Sequence, residues 1–187
     1  MSSTSRARKH RLGVLHLLAA GFVAALLVVI PATGASAAAT VSGVSLNAAE
    51  ARLLRLVNAQ RARVGAPALR IAAGYTDVAR RWSRAMAARR TLVHNPRLAA
   101  NVASAGGANW VAVGENVAYG FRPDTIFATY MKSLPHRRNI LSRSYRHVGI
   151  GWVETSGGPG YTTLVFSSSY STSYGPTRVA PAPCRLY

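Results

Sequence analysis

The sequence predicts an α+β domain in which helices pack against an antiparallel sheet. Segments 48–64 and 75–89, and a segment that starts at Pro123, place apolar residues at the i, i+3, i+4 spacing of amphipathic helices. Later in the chain, residues 148–153 alternate between larger apolar side chains and smaller residues, mostly glycine. A glycine-rich turn separates them from a second alternating run, 161–167. Two such runs are typical of a β-hairpin. Helices followed by strands joined through short turns indicate the α+β class.

The first predicted helix has clear start and stop signals. Asn47 and Glu50 form an Asn-x-x-Glu variant of the capping box, which satisfies free amide groups at a helix start. Gly65 and Pro67 end the helix. One face carries the apolar residues expected in the core: Leu53, Leu54, Val57 and Val64.

The remaining elements follow from local patterns. In the second helix the apolar stripe predicts core residues (Tyr75, Val78, Ala79, Trp82 and Met86), and the arginines that face away (Arg80, Arg81 and Arg84) predict a solvated surface. Residues 91–110 are expected to be rich in loops with at most short helices, and 111–119 to be extended. The third helix, with its proline at the first position, is expected to bury Ile126, Phe127, Tyr130, Met131 and Leu134. Residues 38–46 are predicted to be a linker and 171–187 a flexible tail.

The N-terminus has the organisation of a signal peptide. Four basic residues in the first eleven precede an almost wholly apolar stretch, 12–30, and Ala35-Ser36-Ala37 fits the pattern that signal peptidase cleaves. We therefore predict a signal peptide over 1–37 and a secreted, extracellular protein. A retained membrane anchor is the alternative, because an apolar run of this length could just span a bilayer.

The charge of the mature chain indicates which classes of molecule it could bind. Four of the 23 basic residues leave with the signal peptide, so 19 basic residues stand against five acids. An anionic cell-envelope polymer or lipid is the expected counter-charge. The chain lacks the motifs and the basic-aromatic interleaving of nucleic-acid binders, so no nucleic acid is expected. Cys184 is the only cysteine, which excludes an intrachain disulfide and leaves its role and the oligomeric state open.

Few residues are available for chemistry in the mature chain. Three histidines remain after cleavage: His94, His136 and His147. Among the acids, Glu50 and Asp77 are assigned to the first turns of helices, whereas Glu115 has no structural role in the predicted elements. In an extended segment Glu115 shares a face with Val113 and Val117, so the carboxylate should be partly shielded and should need a partner. His147 is interpreted as a strand-edge residue.

Four ordered motifs resemble the bacterial extracellular branch of the CAP superfamily (SCP/PR-1-like, cysteine-rich secretory proteins). They are His94-Asn95-Pro96, Gly114-Glu115-Asn116-Val117-Ala118-Tyr119-Gly120, Ser133-Leu134-Pro135-His136-Arg137-Arg138-Asn139-Ile140-Leu141 and Val148-Gly149-Ile150-Gly151. The likeness covers about residues 47–170. It implies an α-β-α sandwich with a central antiparallel sheet, and a cleft lined by two histidines and one or two acids. His94, Glu115 and His136 match that lining, and Asn116, Ser133 and Asn139 belong to the same motifs.

This sequence departs from the eukaryotic branch of the superfamily. That branch carries a second cleft acid in the helix after the Gly-Glu-Asn motif, where Ser133 stands here. It also takes its second histidine from a Gly-His-Tyr-Thr-Gln motif, which this chain lacks. The equivalence of His136 with that histidine therefore stays open.

Three chemical interpretations compete for these residues. His94, His136 and Glu115 could hold a divalent metal such as zinc with an open position for water. Ser133 and His136 could act as nucleophile and base, with Glu115 orienting the imidazole. Alternatively, His136, Asn139 and Glu115 brace the cleft without any reaction. We predict a non-catalytic module that binds a lipid, a sterol or a cell-envelope ligand, with a metal-dependent or Ser/His hydrolase of peptide or cell-wall substrate as the alternative.

Overall fold

The computed structural model describes residues 39–170. Five helices and six strands follow one another in this part of the chain. They are β1 (Ala39–Val41), β2 (Val44–Leu46), α1 (Ala48–Arg63), β3 (Arg70–Ile71), α2 (Ala73–Arg89), α3 (Leu98–Gly106), β4 (Val113–Gly120), α4 (Pro123–Lys132), α5 (Leu134–Leu141), β5 (His147–Val153) and β6 (Gly160–Ser167). The predicted signal peptide, the C-terminal tail and Cys184 lie outside the described residues.

A four-stranded sheet forms the middle of the domain, in the order β3-β5-β6-β4. β6 pairs antiparallel with both β5 and β4, and the two-residue strand β3 pairs parallel with β5. Leu164 and Phe166 of β6 pack in a core with α1, α4 and α5, whereas the intervening Val165 packs with α2 and α3. The sheet therefore lies between two helical layers, and the predicted α-β-α sandwich with a central antiparallel sheet is confirmed.

Glycines in β5 let helix α2 approach the sheet closely. A Cβ atom added at Gly151 would lie 2.5 Å from backbone atoms of Ala79 and Arg80, and one added at Gly149 would collide with the backbone of Tyr75. Any side chain at these two positions would push the helix away. The alternation of large residues and glycines along β5 thus sets a different layer spacing on each side of the sheet.

The segment predicted to be a linker contains a hairpin. β1 and β2 pair antiparallel through a turn in which Ser42 and Gly43 both have positive φ. Val44 and Leu46 are buried in the core beside α1. Three-residue strands are too short for the alternating pattern to be recognised.

The third predicted helix is two helices. The backbone of Ser133 is extended, with ψ of 120°, and this residue ends α4 and precedes α5. Pro135 accounts for the break, because proline has no N–H to donate and its ring crowds the carbonyl four residues earlier. Leu134, predicted to be buried, is 47% exposed as a result, while Ile126 and Tyr130 are buried as expected.

The structural roles of two charged residues, Arg80 and Asp77, differ from those that the sequence patterns predicted. Arg80, predicted to face solvent, donates two hydrogen bonds to the fully buried carboxylate of Glu50, at 2.8 and 2.5 Å. The predicted capping box of Asn47 and Glu50 forms with both of its hydrogen bonds. Helix α2 begins at Ala73 and not at Tyr75, so its first turn contains no acid, and Asp77 lies beyond that turn.

A buried arginine fixes the end of α5. Arg61 of α1 is 0% exposed and donates to the carbonyls of Pro67, Ile140, Ser142 and Tyr145, at 2.7, 2.7, 2.8 and 3.2 Å. Burial, together with the nearby charges of Arg146 and Arg143, lowers its pKa to about 10. The guanidinium therefore stays charged at neutral pH and links α1 to the carboxyl end of α5.

Within residues 39–170, no helix is both long enough and apolar enough to cross a bilayer.

Candidate functional site

The centre of the candidate site is the edge strand β4. Gly114 and Asn116 face α5, since a Cβ at Gly114 would meet Asn139 and Tyr145 and Asn116 bonds to Asn139. Glu115 therefore lies on the opposite face of the strand, the face of Val113 and Val117. It is 1% exposed, so the predicted shielding of this carboxylate is present and more complete than expected.

Glu115 finds its partner in the loop that follows α2. The Nδ1 atom of His94 lies 2.8 Å from Oε1 of Glu115, and the backbone N–H of Asn95 donates to the same oxygen at 2.9 Å. The hydrogen bond to the carboxylate raises the pKa of His94, and the negative charge of Glu115 adds to the rise, although burial opposes it. The side chain of His94 is still 43% exposed. The pair thus keeps its carboxylate buried and exposes part of an imidazole whose protonated form the carboxylate favours.

On the other face of β4, amide side chains lock α5 to the strand. Asn116 donates from Nδ2 to the carbonyl of His136 at 3.0 Å. Asn139 donates to Oδ1 of Asn116 at 2.9 Å and to the carbonyl of Glu115 at 3.2 Å. The bracing network expected from the sequence thus exists, but it uses the backbone carbonyls of His136 and Glu115 and leaves the imidazole of His136 out.

His136 packs against Tyr130, an aromatic residue for which the sequence predicted only burial in the core. The rings of His136 and Tyr130 are 5.1 Å apart. Burial lowers the pKa of His136, and the positive charge of His94 lowers it further, so the shift is opposite in direction to that of His94. Burial and the charge of Glu115 raise the pKa of Tyr130. The charges of His94 and Glu115 thus act on groups of the opposite helical layer.

Three polar atoms of this site have no hydrogen-bond partner among the described residues. They are Oε2 of Glu115, the hydroxyl of Tyr130 and Nδ1 of His136. The sequence offered one signal for Tyr130, a polar hydroxyl on an otherwise apolar helix face, but burial alone explained that position. Unused hydrogen-bonding capacity in a protein interior is costly, and it frequently accompanies function.

The two sets of catalytic groups considered from the sequence are not assembled. Ser133 supplies the extended residue between α4 and α5, and Nδ1 of His136 has no hydrogen-bond partner within the described residues. No group of three or more His, Cys, Asp and Glu side chains in residues 39–170 is arranged to hold a metal ion. The donor set of His94, His136 and Glu115 therefore does not fit zinc in this structure.

Four exposed apolar side chains are close in sequence to the residues of the site. Val93 precedes His94 and is 47% exposed, and Leu134, two residues before His136, is exposed to the same extent. Tyr119 and Phe121, at the end of β4, are 57% and 76% exposed. We call these four residues the apolar rim. A few convergent polar groups beside apolar surface are the usual composition of a small-molecule site.

Sequence comparison places the chain among known proteins. A model of the cysteine-rich secretory protein family, CAP, matches residues 54–167. The protein YkwD of Bacillus subtilis is 31% identical over 130 residues, which are 67% of this chain and 51% of that protein. This chain thus spans about half the length of that relative.

Solved structures share the fold. An extracellular protein with an SCP domain from Bacillus anthracis is 25% identical and superposes with a TM-score of 0.53, covering 64% of this chain and 40% of that one. An outer surface protein of Borrelia burgdorferi is 14% identical with a TM-score of 0.60, over 65% and 92% of the two chains. A cysteine-rich secretory protein of Staphylococcus aureus is 21% identical with a TM-score of 0.54, over 65% and 39%. Likenesses at 14% and 21% identity show the fold alone.

Proposed function

The chain belongs to the CAP family of cysteine-rich secretory proteins, and from this premise we propose that it is an exported, non-catalytic module that binds an apolar ligand of the cell envelope. A lipid or a sterol is the expected ligand class. The observation that carries the proposal is the exposed apolar rim on the same segments as Glu115, Tyr130 and His136, which have buried polar atoms without hydrogen-bond partners among the described residues. Export is supported by the proteins that share the fold, which are an outer surface protein, a secretory protein and an extracellular protein.

The proposed ligand lies with its apolar body on the rim and its polar end towards the edge strand. His94 offers a positive charge at the surface, since its bond to Glu115 raises its pKa. The imidazole of His136, whose pKa is lowered by burial, is a second polar group for this role. These groups can fix the orientation of a polar end, while apolar contact supplies most of the affinity.

Hydrolysis of a peptide or cell-wall substrate is the alternative. It requires a nucleophile within reach of a base, or a metal-bound water, and a group that stabilises the oxyanion. Nδ1 of His136 has no hydrogen-bond partner within the described residues, and no group of three or more His, Cys, Asp and Glu side chains there is arranged to hold a metal ion. These observations favour binding over catalysis.

The experiment compares three aspartate variants at similarly exposed apolar positions. Val93→Asp and Leu134→Asp alter the rim, where both side chains are 47% exposed, and Val64→Asp is the matched control on α1, where the side chain is 42% exposed. The probes are a fluorescent fatty acid and a fluorescent sterol, titrated into the mature domain. Loss of one apolar contact of about 1.4 kcal/mol weakens binding about tenfold.

We expect each rim variant to bind at least one probe about tenfold more weakly than the parent, with Val64→Asp unchanged. Equal binding by all four proteins would contradict the proposed site. Release of products from a peptide or cell-wall substrate by the parent, abolished in Ser133→Ala, would establish the hydrolase instead.

A further inference from the structure

A cluster of three arginines and a histidine lies at the sheet edge opposite the candidate site. β3 forms one edge of the sheet and β4 the other. Arg70 of β3 pairs in register with His147, the first residue of β5, and its backbone N–H donates to the carbonyl of Arg146 at 2.9 Å. Arg146 in turn bonds through its guanidinium to the carbonyl of Arg143. We call these four residues, Arg70, Arg143, Arg146 and His147, the basic patch.

The positive charge of the basic patch is not compensated by acids of the chain. The ion pairs among the described residues involve Arg52, Arg80 and His94, and no arginine of the patch. The charges of Arg143 and Arg146 also act on the buried guanidinium of Arg61. Like charges on neighbouring residues repel one another, so a bound anion would stabilise the arrangement.

A recess opens beside the basic patch. It has a volume of about 350 Å³ and is lined by Ser42, Arg70, Ile71, Ala73, His147 and Tyr170, with no acidic side chain among them. The imidazole of His147 is half-buried and packs against the ring of Tyr170, at 5.9 Å between centroids. Burial and the charge of Arg70 lower the pKa of His147, so it is a neutral group that can donate one hydrogen bond. The hydroxyl of Ser42 is a further donor.

We propose that the basic patch docks a polymer with repeated oxyanion groups, one of which enters the recess between Arg70 and His147. Guanidinium groups bind phosphate and carboxylate oxygens through charge-assisted hydrogen bonds. The flanking Arg143 and Arg146 contact neighbouring units of the polymer along the sheet edge. A concave recess suits a chain that can place one unit inside it, whereas the plane of a membrane cannot reach into it. The edge opposite the ligand site thus gives the domain a second, independent binding surface for the anionic envelope.

The test uses two double variants that remove the same charge from different surfaces. Arg70→Gln with Arg146→Gln alters the patch but keeps Arg143, whose side chain bonds to the carbonyl of Val64 at 2.8 Å. Arg84→Gln with Arg89→Gln is the matched control on the exposed face of α2. Thermal melting of all three proteins checks that the variants are folded.

The probes are long-chain inorganic polyphosphate, poly-L-glutamate and phosphatidylglycerol vesicles. Each arginine near an anionic surface is worth about a fivefold change in affinity, so the patch variant should bind the polymers about 25-fold more weakly than the parent. The control should lose less than about threefold, since charges farther than the Debye length of roughly 8 Å are screened at physiological salt. Tighter binding of polyphosphate identifies phosphate as the preferred group, and tighter binding of polyglutamate identifies carboxylate.

Site-resolved NMR locates the binding. Addition of the preferred polymer should move the imidazole signals of His147 and leave those of His94, on the other sheet edge, in place. Equal loss of affinity in the two double variants would overturn the proposal, because it would show diffuse attraction by net charge. Vesicle binding that exceeds polymer binding and that disappears in the patch variant would also overturn it, in favour of a membrane surface.

Discussion

Replacement of Arg61 should destabilise the domain more than replacement of any exposed arginine on α1. Arg61→Met keeps a long unbranched side chain but removes all donors from four carbonyl groups. A buried acceptor that loses its partner costs about 1 to 3 kcal/mol. Because the variant also relieves the burial of a charge, we take the lower end of that range, which gives about 4 kcal/mol for the four groups.

Chemical and thermal unfolding of the mature domain measure this loss. For a domain of this size, about 4 kcal/mol corresponds to a fall in Tm of about 15 °C. Arg61→Lys, which keeps the charge and has fewer donors, should lose about half as much. Arg63→Met on the exposed side of the same helix is the control and should change stability by less than about 0.5 kcal/mol. A loss below about 1 kcal/mol for Arg61→Met would refute the reasoning that these carbonyls depend on the guanidinium.

Three further perturbations test the site and the layer contact. Glu115→Gln should lower the pKa of His94 in an NMR titration. In the parent, the raised pKa of His94 stabilises the folded domain at pH values below about 6.5, which is the pKa of histidine in an unfolded chain. This stabilisation is lost as the pH rises through the pKa of His94 in the folded state. The variant should therefore be destabilised most in acid. His94→Gln should raise the pKa of His136 slightly, since burial is the larger cause of its depression, and an unchanged value would show that the rings do not interact. Gly151→Ala should cost about 1 to 3 kcal/mol in urea unfolding by overpacking, whereas Gly120→Ala, whose new Cβ would meet only a side chain at 3.2 Å, should cost less. Equal losses for the two glycine variants would contradict the close helix contact.

Local patterns predicted those parts of the fold that depend on neighbouring residues. The capping box needs only Asn47 and Glu50, three positions apart, and both of its hydrogen bonds form. Alternation along β5 and β6 depends on the two-residue repeat of a strand, and both strands lie where it was expected. The extent of the helices followed in the same way, within two residues for α1 and α2.

Features that depend on distant residues were not visible in the sequence. Three of the carbonyls bound by Arg61 are 79 to 84 positions away, so nothing beside it in sequence distinguishes it from an exposed arginine. Arg80 likewise finds Glu50 thirty positions away.

The motifs selected His94, Glu115 and His136 as site residues. Which atoms of these residues form hydrogen bonds depends on how the elements pack. The sequence could not show that Asn116 and Asn139 bond to backbone carbonyls, or that Tyr130 lies against His136. It also suggested a metal set that the geometry does not assemble among the described residues. Residue types thus identified the neighbourhood, and only the fold decided which atoms meet.

Native mass spectrometry of the mature domain, purified from culture supernatant without detergent, tests the central claim most directly. The account predicts a non-covalent adduct with the mass of a lipid or sterol on the parent and on Val64→Asp, and its loss from Leu134→Asp. A parent protein that carries no such adduct, and acquires none when incubated with envelope lipid extract, would contradict the claim that the cleft binds an apolar envelope ligand.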